Sequence, residues 1–382
     1  MIGAEKYGGG MSWQAEVRVD LDAIRHNVAR LRTAAPGADL MAVVKADGYG
    51  HGMVPVARAA LEAGASALGV CTLGEALTLR RAGITAPVLA WLLAPGLPLH
   101  EGVAAGVELS AASVAQLQEL VAAGRRAGQV ARVHLKLDTG LGRGGAAEAD
   151  WPALAEAAGK AQADGAVEVV GVWSHLAYAD APGHPTIDRQ VAAFHAGLAV
   201  AEGFGITPRY RHLANSAATL TRPDTHFDLV RPGIAVYGLS PVAGESFGLR
   251  AAMTARARVI HTKRVPAGHG VSYGHTYHTT RETTLAVVPL GYGDGVPRAA
   301  SNAGPVWLAG RVRTIAGRVC MDQIVIDCGD DPVAVGDEAV LFGPREAGVP
   351  TADDWADVVG TINYEIVTRF GGDRVSKVYE HG

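Results

Sequence analysis

From about Ala42 to Gly238 two patterns alternate along the chain in a steady rhythm. Short, β-prone apolar runs lie at Met41–Val44, Ala67–Cys71, Pro87–Trp91, Val107–Leu109, Val133–Leu137, Val167–Val172, Tyr210–Leu213 and Phe227–Val230. Between them stand Ala- and Leu-rich stretches of helical period, such as Val54–Ala63, Glu75–Ala82, Val114–Ala127, Trp151–Ala163 and Thr186–Gly203. A short continuous apolar run bounded by turn signals reads as a strand buried on both faces, whereas three- and four-residue spacing reads as a helix face. Eight such βα units fit a closed (β/α)8 TIM barrel better than an open doubly wound sheet. A leading helix, Leu21–Thr33 with Asp20 as N-cap, precedes the first strand.

Near Arg250 the rhythm stops. From Met253 to Phe342 β-branched alternation and frequent glycine replace the helical period, as in Thr254–Val265, Thr283–Val288 and Val312–Ile315. This predicts a smaller, mostly β C-terminal domain. A helical patch near Thr351–Val367 and a strand near Arg374–Val378 end it. The expected division is a tail over 1–12, a barrel domain over 13–250 and a β domain over 251–382. Hydrophobic residues make up 48% of the chain, enough for full cores. Lys and Arg total 34 against 38 Asp and Glu, a balance with no field to attract nucleic acid or an anionic membrane. Cys71, Cys320 and Cys328 have no spacing that suggests disulfides or zinc. The first ten residues lack a secretory apolar region, and Ala86–Ala94 is too short to span a bilayer. The expectation is a cytoplasmic protein.

Barrel chemistry sits at the C-terminal ends of the strands. The first strand runs out as Val43-Val44-Lys45-Ala46-Asp47-Gly48-Tyr49-Gly50-His51-Gly52. A lysine leaving a buried strand costs free energy unless it is solvated, paired or covalently used. Snorkelling to solvent is the ordinary fate of such a lysine. Glycines at 48, 50 and 52 allow a ligand to approach the backbone closely, and packing alone does not explain that run.

The segment AVVKADGYGHG resembles the cofactor-lysine motif of bacterial alanine racemases, pyridoxal-phosphate enzymes of fold type III. The resemblance runs from about Val17 to Tyr379. It implies pyridoxal 5'-phosphate as cofactor, carried by Lys45. In KLDTGLGRGG, Arg143 matches the arginine that meets the cofactor's phenolic oxygen and the substrate carboxylate, and Lys136 a lysine carbamylated in several members. WSHLAYAD retains His175, with Leu176 where Phe is usual. In HLANSAA, Ser216 beside Asn215 matches the phosphate-binding serine. In VRPGIAVYG, Gly233 and Ile234 match backbone phosphate donors, and Arg231 the partner of the pyridine nitrogen. Tyr49 and Tyr364 match two phenols that reach the phosphate. Phosphate held between the last two βα loops is also what a barrel of this kind leads one to expect. Ser216 read alone is a helix N-cap, which is compatible, since helix N-termini bind anions.

In the β domain, GVSYGHTY places Tyr273 at the family's second catalytic base. GYGDG and RVCMDQ place Tyr292 at the site entrance and the Met321 N–H on the substrate carboxylate; Gly293 stands where Ala is common. Racemisation needs two acid–base groups on opposite faces of one carbon, so Lys45 and Tyr273 are the expected pair. A free tyrosine titrates near ~10, and a polar chain Tyr273–His175–Arg231 is expected to help it. The resemblance further implies a head-to-tail homodimer with shared sites and a supply of D-alanine for cell-wall peptidoglycan. A broad-specificity or serine racemase is the alternative.

Three weaker signals point elsewhere. Gly140-x-Gly142-x-x-Gly145 is formally a dinucleotide fingerprint, but no acidic residue follows at the expected distance. Gly270-x-Ser272-x-Gly274 resembles a nucleophile elbow, which requires a following helix and then an acid and a histidine. His275 and His278 have no third ligand, so no metal is expected. A non-catalytic cofactor carrier and a decarboxylase of the same fold type are the remaining rivals; Tyr273 argues against the first, and GRVCMDQ lacks the spacing wanted for the second.

Overall fold

The computed structural model describes residues 13–380; the expected tail over 1–12 lies outside the described residues. Two compact units form, one from Leu21–Arg250, the other from Ala251 onward together with the segment ending at Asp20.

In the first unit eight parallel strands follow one another: Asp39–Val43, Ala67–Val70, Val88–Ala90, Glu108–Ala111, Ala131–Lys136, Val167–Trp173, Tyr210–His212 and Leu229–Val230. Consecutive strands pair from first to seventh, and the eighth returns to the first, Asp39 against Leu229 and Leu40 against Val230. Between the seventh and eighth, which are only three and two residues long, isolated bonds replace the ladder. Asp228 N–H donates to Arg211 O at 3.1 Å and Arg231 N–H to Ala214 O at 2.9 Å. The sheet is thus a nearly closed barrel, the architecture expected from the rhythm. Met41, Ala67, Leu89, Val170, Tyr210 and Leu229 pack as one interior cluster, with Trp91 against it.

The helices alternate with these strands. Leu73–Arg81 starts on a capping box in which Thr72 and Glu75 satisfy each other's backbone N–H groups. Val114–Ala127 starts on Ser113 and stops at Gly128. Leu99–Ala104 was not among the expected helices, its six residues being too few to show a helical period; Ser216–Thr221, also six residues, is capped by Asn215 rather than by Ser216.

The second unit is mostly β. Its six-stranded sheet runs in the order Arg311–Thr314, Pro305–Leu308, Glu338–Phe342, Met253–Arg258, Ala15–Asp20, Ser376–Glu380. A three-stranded sheet joins His261–Val265, Thr283–Val288 and Ile324–Asp327. Two expectations differ here. Ala15–Asp20, read as the start of the barrel domain, lies antiparallel to Met253–Arg258 and parallel to Ser376–Glu380. Its alternation buries Ala15, Val17 and Val19, and its partners are too distant in sequence for local pattern to reveal. The closing strand, expected near Arg374–Val378, is Ser376–Glu380, and the β-prone stretch Thr254–Val265 holds two strands that lie in different sheets. The helical patch resolves into Ala352–Val359, ended by Gly360, and Asn363–Arg369. Among the described residues, no helix is long and apolar enough to cross a membrane.

Candidate active site

Lys45 opens a tight turn just past the first barrel strand. Ala46, Asp47, Gly48 and Tyr49 all take positive φ, between 50° and 60°. Left-handed backbone costs a non-glycine residue about 1–2 kcal/mol, so three side chains here are held against their preference. Asp47 Oδ1 accepts from Met53 N–H at 2.9 Å. Glu75 Oε1 accepts from Ala46 N–H at 2.7 Å, while its Oε2 accepts from Cys71 and Thr72 N–H at 2.9 and 3.0 Å. The carboxylate that caps one helix therefore also clamps the residue beside Lys45. Lys45 Nζ lies 5.9 Å from the ring centroids of both Tyr49 and Trp91.

The last two strand ends form a cradle of N–H groups. Asn215 caps helix Ser216–Thr221, its Oδ1 accepting from Ala218 N–H at 3.2 Å. Gly233 caps a 3-10 turn, Ile234–Tyr237. Ser216 Oγ accepts from Gly233 N–H at 2.8 Å and Ala235 N–H at 3.3 Å. The Tyr49 phenol stands against Gly233, where a Cβ would lie 2.3 Å from its oxygen. Tyr49, Ser216 and Gly233 are thus brought together at paired turn N-termini, a setting that favours an anion.

A cluster of cations gathers at the ends of the fifth, sixth and eighth strands. Arg231 is buried; its Nη2 donates to Ser174 O at 2.7 Å and Leu213 O at 3.3 Å and lies 3.4 Å from His175 Nδ1. Lys136 Nζ and the Arg231 guanidinium lie 4.4 and 4.9 Å from the same Trp173 ring. Burial, reinforced by Arg231 and Arg143, pushes the Lys136 ammonium down to about 8. Burial, then the charges of Arg231, Arg143, Lys136 and Lys45, hold His175 well below the usual imidazole range. His175 is therefore a neutral ring among four cations. Such a cluster is costly unless an anion joins it. A primary amine, an N–H cradle and a cationic wall together suit a phosphorylated carbonyl compound.

Arg143 is exposed on the loop after the fifth strand. There Asp138 Oδ1 accepts from Gly140 and Leu141 N–H, each at 2.9 Å, and Oδ2 from Gly142 N–H at 3.0 Å. Burial opposes ionisation, but these donors, with Arg143 N–H, hold the Asp138 carboxyl below its ordinary range. The dinucleotide-like glycine run is thus a turn wrapped on its own aspartate, with no helix until Trp151.

Tyr273, Tyr292, Met321 and Tyr364 belong to the second unit. Ser272 Oγ donates to Arg318 O at 2.7 Å, Tyr292 N–H to Cys320 O at 3.0 Å and Gly293 N–H to Met321 O at 2.9 Å. These bonds tie the turns of Tyr273, Tyr292 and Met321 to a single segment, 318–321. All three side chains are exposed, Tyr273 by 72%. Ser272 is occupied by that carbonyl bond, and only a three-residue 3-10 turn, Tyr273–His275, follows it, not the α-helix that a nucleophile elbow requires. Tyr364 is half-buried on helix Asn363–Arg369. Its unit is braced at Asp294, which pairs with Arg374 at 2.9 Å. Among the described residues, no group of three or more side chains is placed to hold a metal ion.

Several residues of the first unit escaped the sequence reading: Glu75, Trp91, Trp173, and the buried Glu108, His134 and His212. A signal existed for two of the last three. Glu108 and His134 interrupt apolar runs (Val107-Glu108-Leu109, Val133-His134-Leu135) that otherwise read as core.

Comparison with known proteins agrees with this geometry. A family described as Alanine racemase, N-terminal domain matches residues 19–241, and one described as Alanine racemase, C-terminal domain matches 252–379. The alanine racemase of Salinispora arenicola is 76% identical over 368 residues, covering 96% of this chain and 99% of the relative. That of Thermobifida fusca is 59% identical, covering 97% and 99%. Among solved structures, the alanine racemase of D-cycloserine-producing Streptomyces lavendulae superposes with TM-score 0.96 at 55% identity, covering 98% of each chain. The Bacillus anthracis alanine racemase with bound L-Ala-P gives 0.89 at 36% identity, covering 98% of this chain and 96% of that one.

Proposed function

The chain belongs to the alanine racemase family, whose members are pyridoxal-phosphate-dependent isomerases, and on that premise we propose that it interconverts L- and D-alanine with Lys45 and Tyr273 as the two bases. The observation that carries the reading is the mouth of the barrel: an amine at Lys45 between an N–H cradle and a cationic wall. This donor set fits pyridoxal phosphate. Tyr49, Ser216, Gly233, Ile234 and Tyr364 would hold its phosphate, with Asn215 fixing the helix start. Arg231 would meet the ring nitrogen and Arg143 the phenolic oxygen. When bound, the cofactor delocalises the charge left on the substrate carbon as its proton departs.

The protein's own groups move that proton. Lys45, as a free amine, serves one face of the carbon and Tyr273 the other. Neutral His175, beside Arg231, is suited to accept a hydrogen bond from the Tyr273 phenol and ease its deprotonation. Arg143 and the Met321 N–H would hold the substrate carboxylate, and the bulk of Tyr273 and Tyr292 would restrict its side chain to a small one. A phenol exposed to water is poorly placed as a base. A head-to-tail dimer, in which the β unit of one copy covers the barrel mouth of the other, would supply a closed setting. The role that follows is supply of D-alanine for cell-wall peptidoglycan, in the cytoplasm.

The test is a panel of L-amino acids given to the cofactor-loaded enzyme and resolved by chiral chromatography. Alanine should racemise fastest; a preference for serine would move the assignment to the broad-specificity reading. Lys45→Ala should lose both racemisation and the visible absorbance of the attached cofactor. A borohydride-reducible attachment that persists in that variant would sink the role given to Lys45.

A further inference from the structure

A line of buried ionisable side chains crosses the barrel interior from its N-terminal end to Arg231. Glu108, the first residue of the fourth strand, has its Oε2 2.9 Å from His134 Nε2. His134 Nδ1 lies 2.9 Å from His212 Nε2, and His212 Nδ1 lies 3.2 Å from an Arg231 Nη1. Glu108, His134, His212 and Arg231 are all at most 4% exposed. Room for the central contact comes from Gly171 on the sixth strand. It pairs with His134 on one side and Tyr210 on the other, and a Cβ there would lie 2.3 Å from His134 Nδ1 and 3.0 Å from His212 Nε2. The imidazoles meet across the intervening strand only because that strand has no side chain there.

Such a chain has one self-consistent set of protons. A carboxylate only accepts, so His134 must carry its proton on Nε2, and its Nδ1 is then a bare acceptor. His212 must donate to it from Nε2, which leaves His212 Nδ1 bare toward Arg231, a group that only donates. Burial, then the charge of the neighbouring Arg231, holds His212 well below the usual imidazole range, so this ring is neutral. On the outer side, Glu108 Oε1 lies 2.8 Å from an Arg132 Nη, which keeps that carboxylate turned to serve both groups.

We infer that Glu108 is a positioning residue for the reaction: through the tautomers of His134 and His212 it fixes the donor geometry of Arg231 at the barrel mouth. Its effect on catalysis rests on the racemase reading; the tautomers themselves do not. A flipped chain would point His212 Nδ1–H at the Arg231 guanidinium, donor against donor, and turn it out of place.

Glu108→Gln separates these states with almost no change of shape. The Arg132 cation, 2.8 Å from Oε1 as an ion pair, attracts an amide oxygen and repels an NH2 group, so the oxygen turns to Arg132 and the NH2 group to His134. Both tautomers should invert. Neutron diffraction from perdeuterated crystals of the cofactor-loaded enzyme reads this directly. The native protein should show deuterium on Nε2 of His134 and His212, and Glu108→Gln should show it on Nδ1 of both. Adding Arg132→Met frees the amide to turn back and should restore the native pattern. With inversion, kcat for alanine should fall about tenfold while KM holds, the scale on which an outer partner of a functional imidazole acts. Native Nδ1 deuteration, or no inversion in Glu108→Gln, overturns the relay. Inversion with unchanged kcat overturns the positioning role alone. A native enzyme that shows the relay but does not racemise alanine points instead to failure of the functional reading.

Discussion

Gly171 and His134 are fitted to each other: the space a side chain on Gly171 would need is filled by the His134 imidazole, 2.3 Å from where the Cβ would stand. Gly171→Ala should therefore force the ring aside and part it from His212. Overpacking of a tight core costs about 1–3 kcal/mol, and loss of a buried hydrogen bond adds to that. A lowered midpoint in chemical denaturation, with an unchanged slope, is the expected result. A midpoint equal to that of the native protein would mean that the barrel interior yields freely at this layer.

Lys136 is predicted to react with carbon dioxide. Its ammonium is pushed from the 10.5 of an ordinary lysine down to about 8, so free amine is present at mildly alkaline pH. Attack on CO2 forms the N–C bond and releases a proton, and the resulting carbamate turns a repulsive contact with Arg143 into a charge-assisted pair. A 13C carbamate signal under labelled bicarbonate should grow as pH rises through about 8 and vanish in Lys136→Met. Clear density for a bare amine in a well-ordered site would count against it.

The same shift has a consequence for stability. Between pH about 8 and 10.5 the unfolded chain holds the Lys136 proton and the folded chain does not. The unfolded state thus binds more protons, so stability rises with pH across this window, and below it the folded ammonium is destabilising. Without CO2 or cofactor, Lys136→Met should abolish this rise in a series of denaturation midpoints. If the rise persists in the variant, another group causes it.

Arg231→Glu should slow racemisation. A carboxylate at that position favours a protonated ring nitrogen, which an arginine repels. The stronger electron sink should produce a new long-wavelength absorption band with alanine, together with transamination by-product. Native rates with no new band would show that Arg231 does not face the nitrogen.

Shared sites can be tested by mixing subunits. Lys45→Ala and Tyr273→Phe proteins should each be nearly inactive alone. In a two-fold dimer containing one of each, a head-to-tail arrangement places both defects in one site and neither in the other. Activity should recover to about half the native value per dimer. Exchange proven by mass with no recovery would assign both bases to one chain.

The alternation of apolar runs and helical stretches determined the barrel by itself, because each βα unit buries its strand on both faces and so writes a local, repeated pattern. The place of Lys45 at a strand end was legible because it follows the first apolar run directly; the glycines at 48, 50 and 52 beside it all take positive φ in the turn, and the roles of the other strand-end residues came from the resemblance. Other features rest on partners far apart in the chain. Ala15–Asp20 reads locally as any amphipathic strand, and its place between Met253–Arg258 and Ser376–Glu380 is a long-range pairing. Glu75 reads only as the first residue of a helical stretch, and its bond from Ala46 N–H exists because two loops meet at the barrel mouth. Glu108, His134 and His212 lie on three strands, and the chain of protons linking them to Arg231 arises only where barrel closure and the missing side chain of Gly171 bring their rings into contact. Periodicity reports which face of an element is buried; it carries no information about which buried polar groups will face one another, because that is set by how strands from distant parts of the chain register around the barrel.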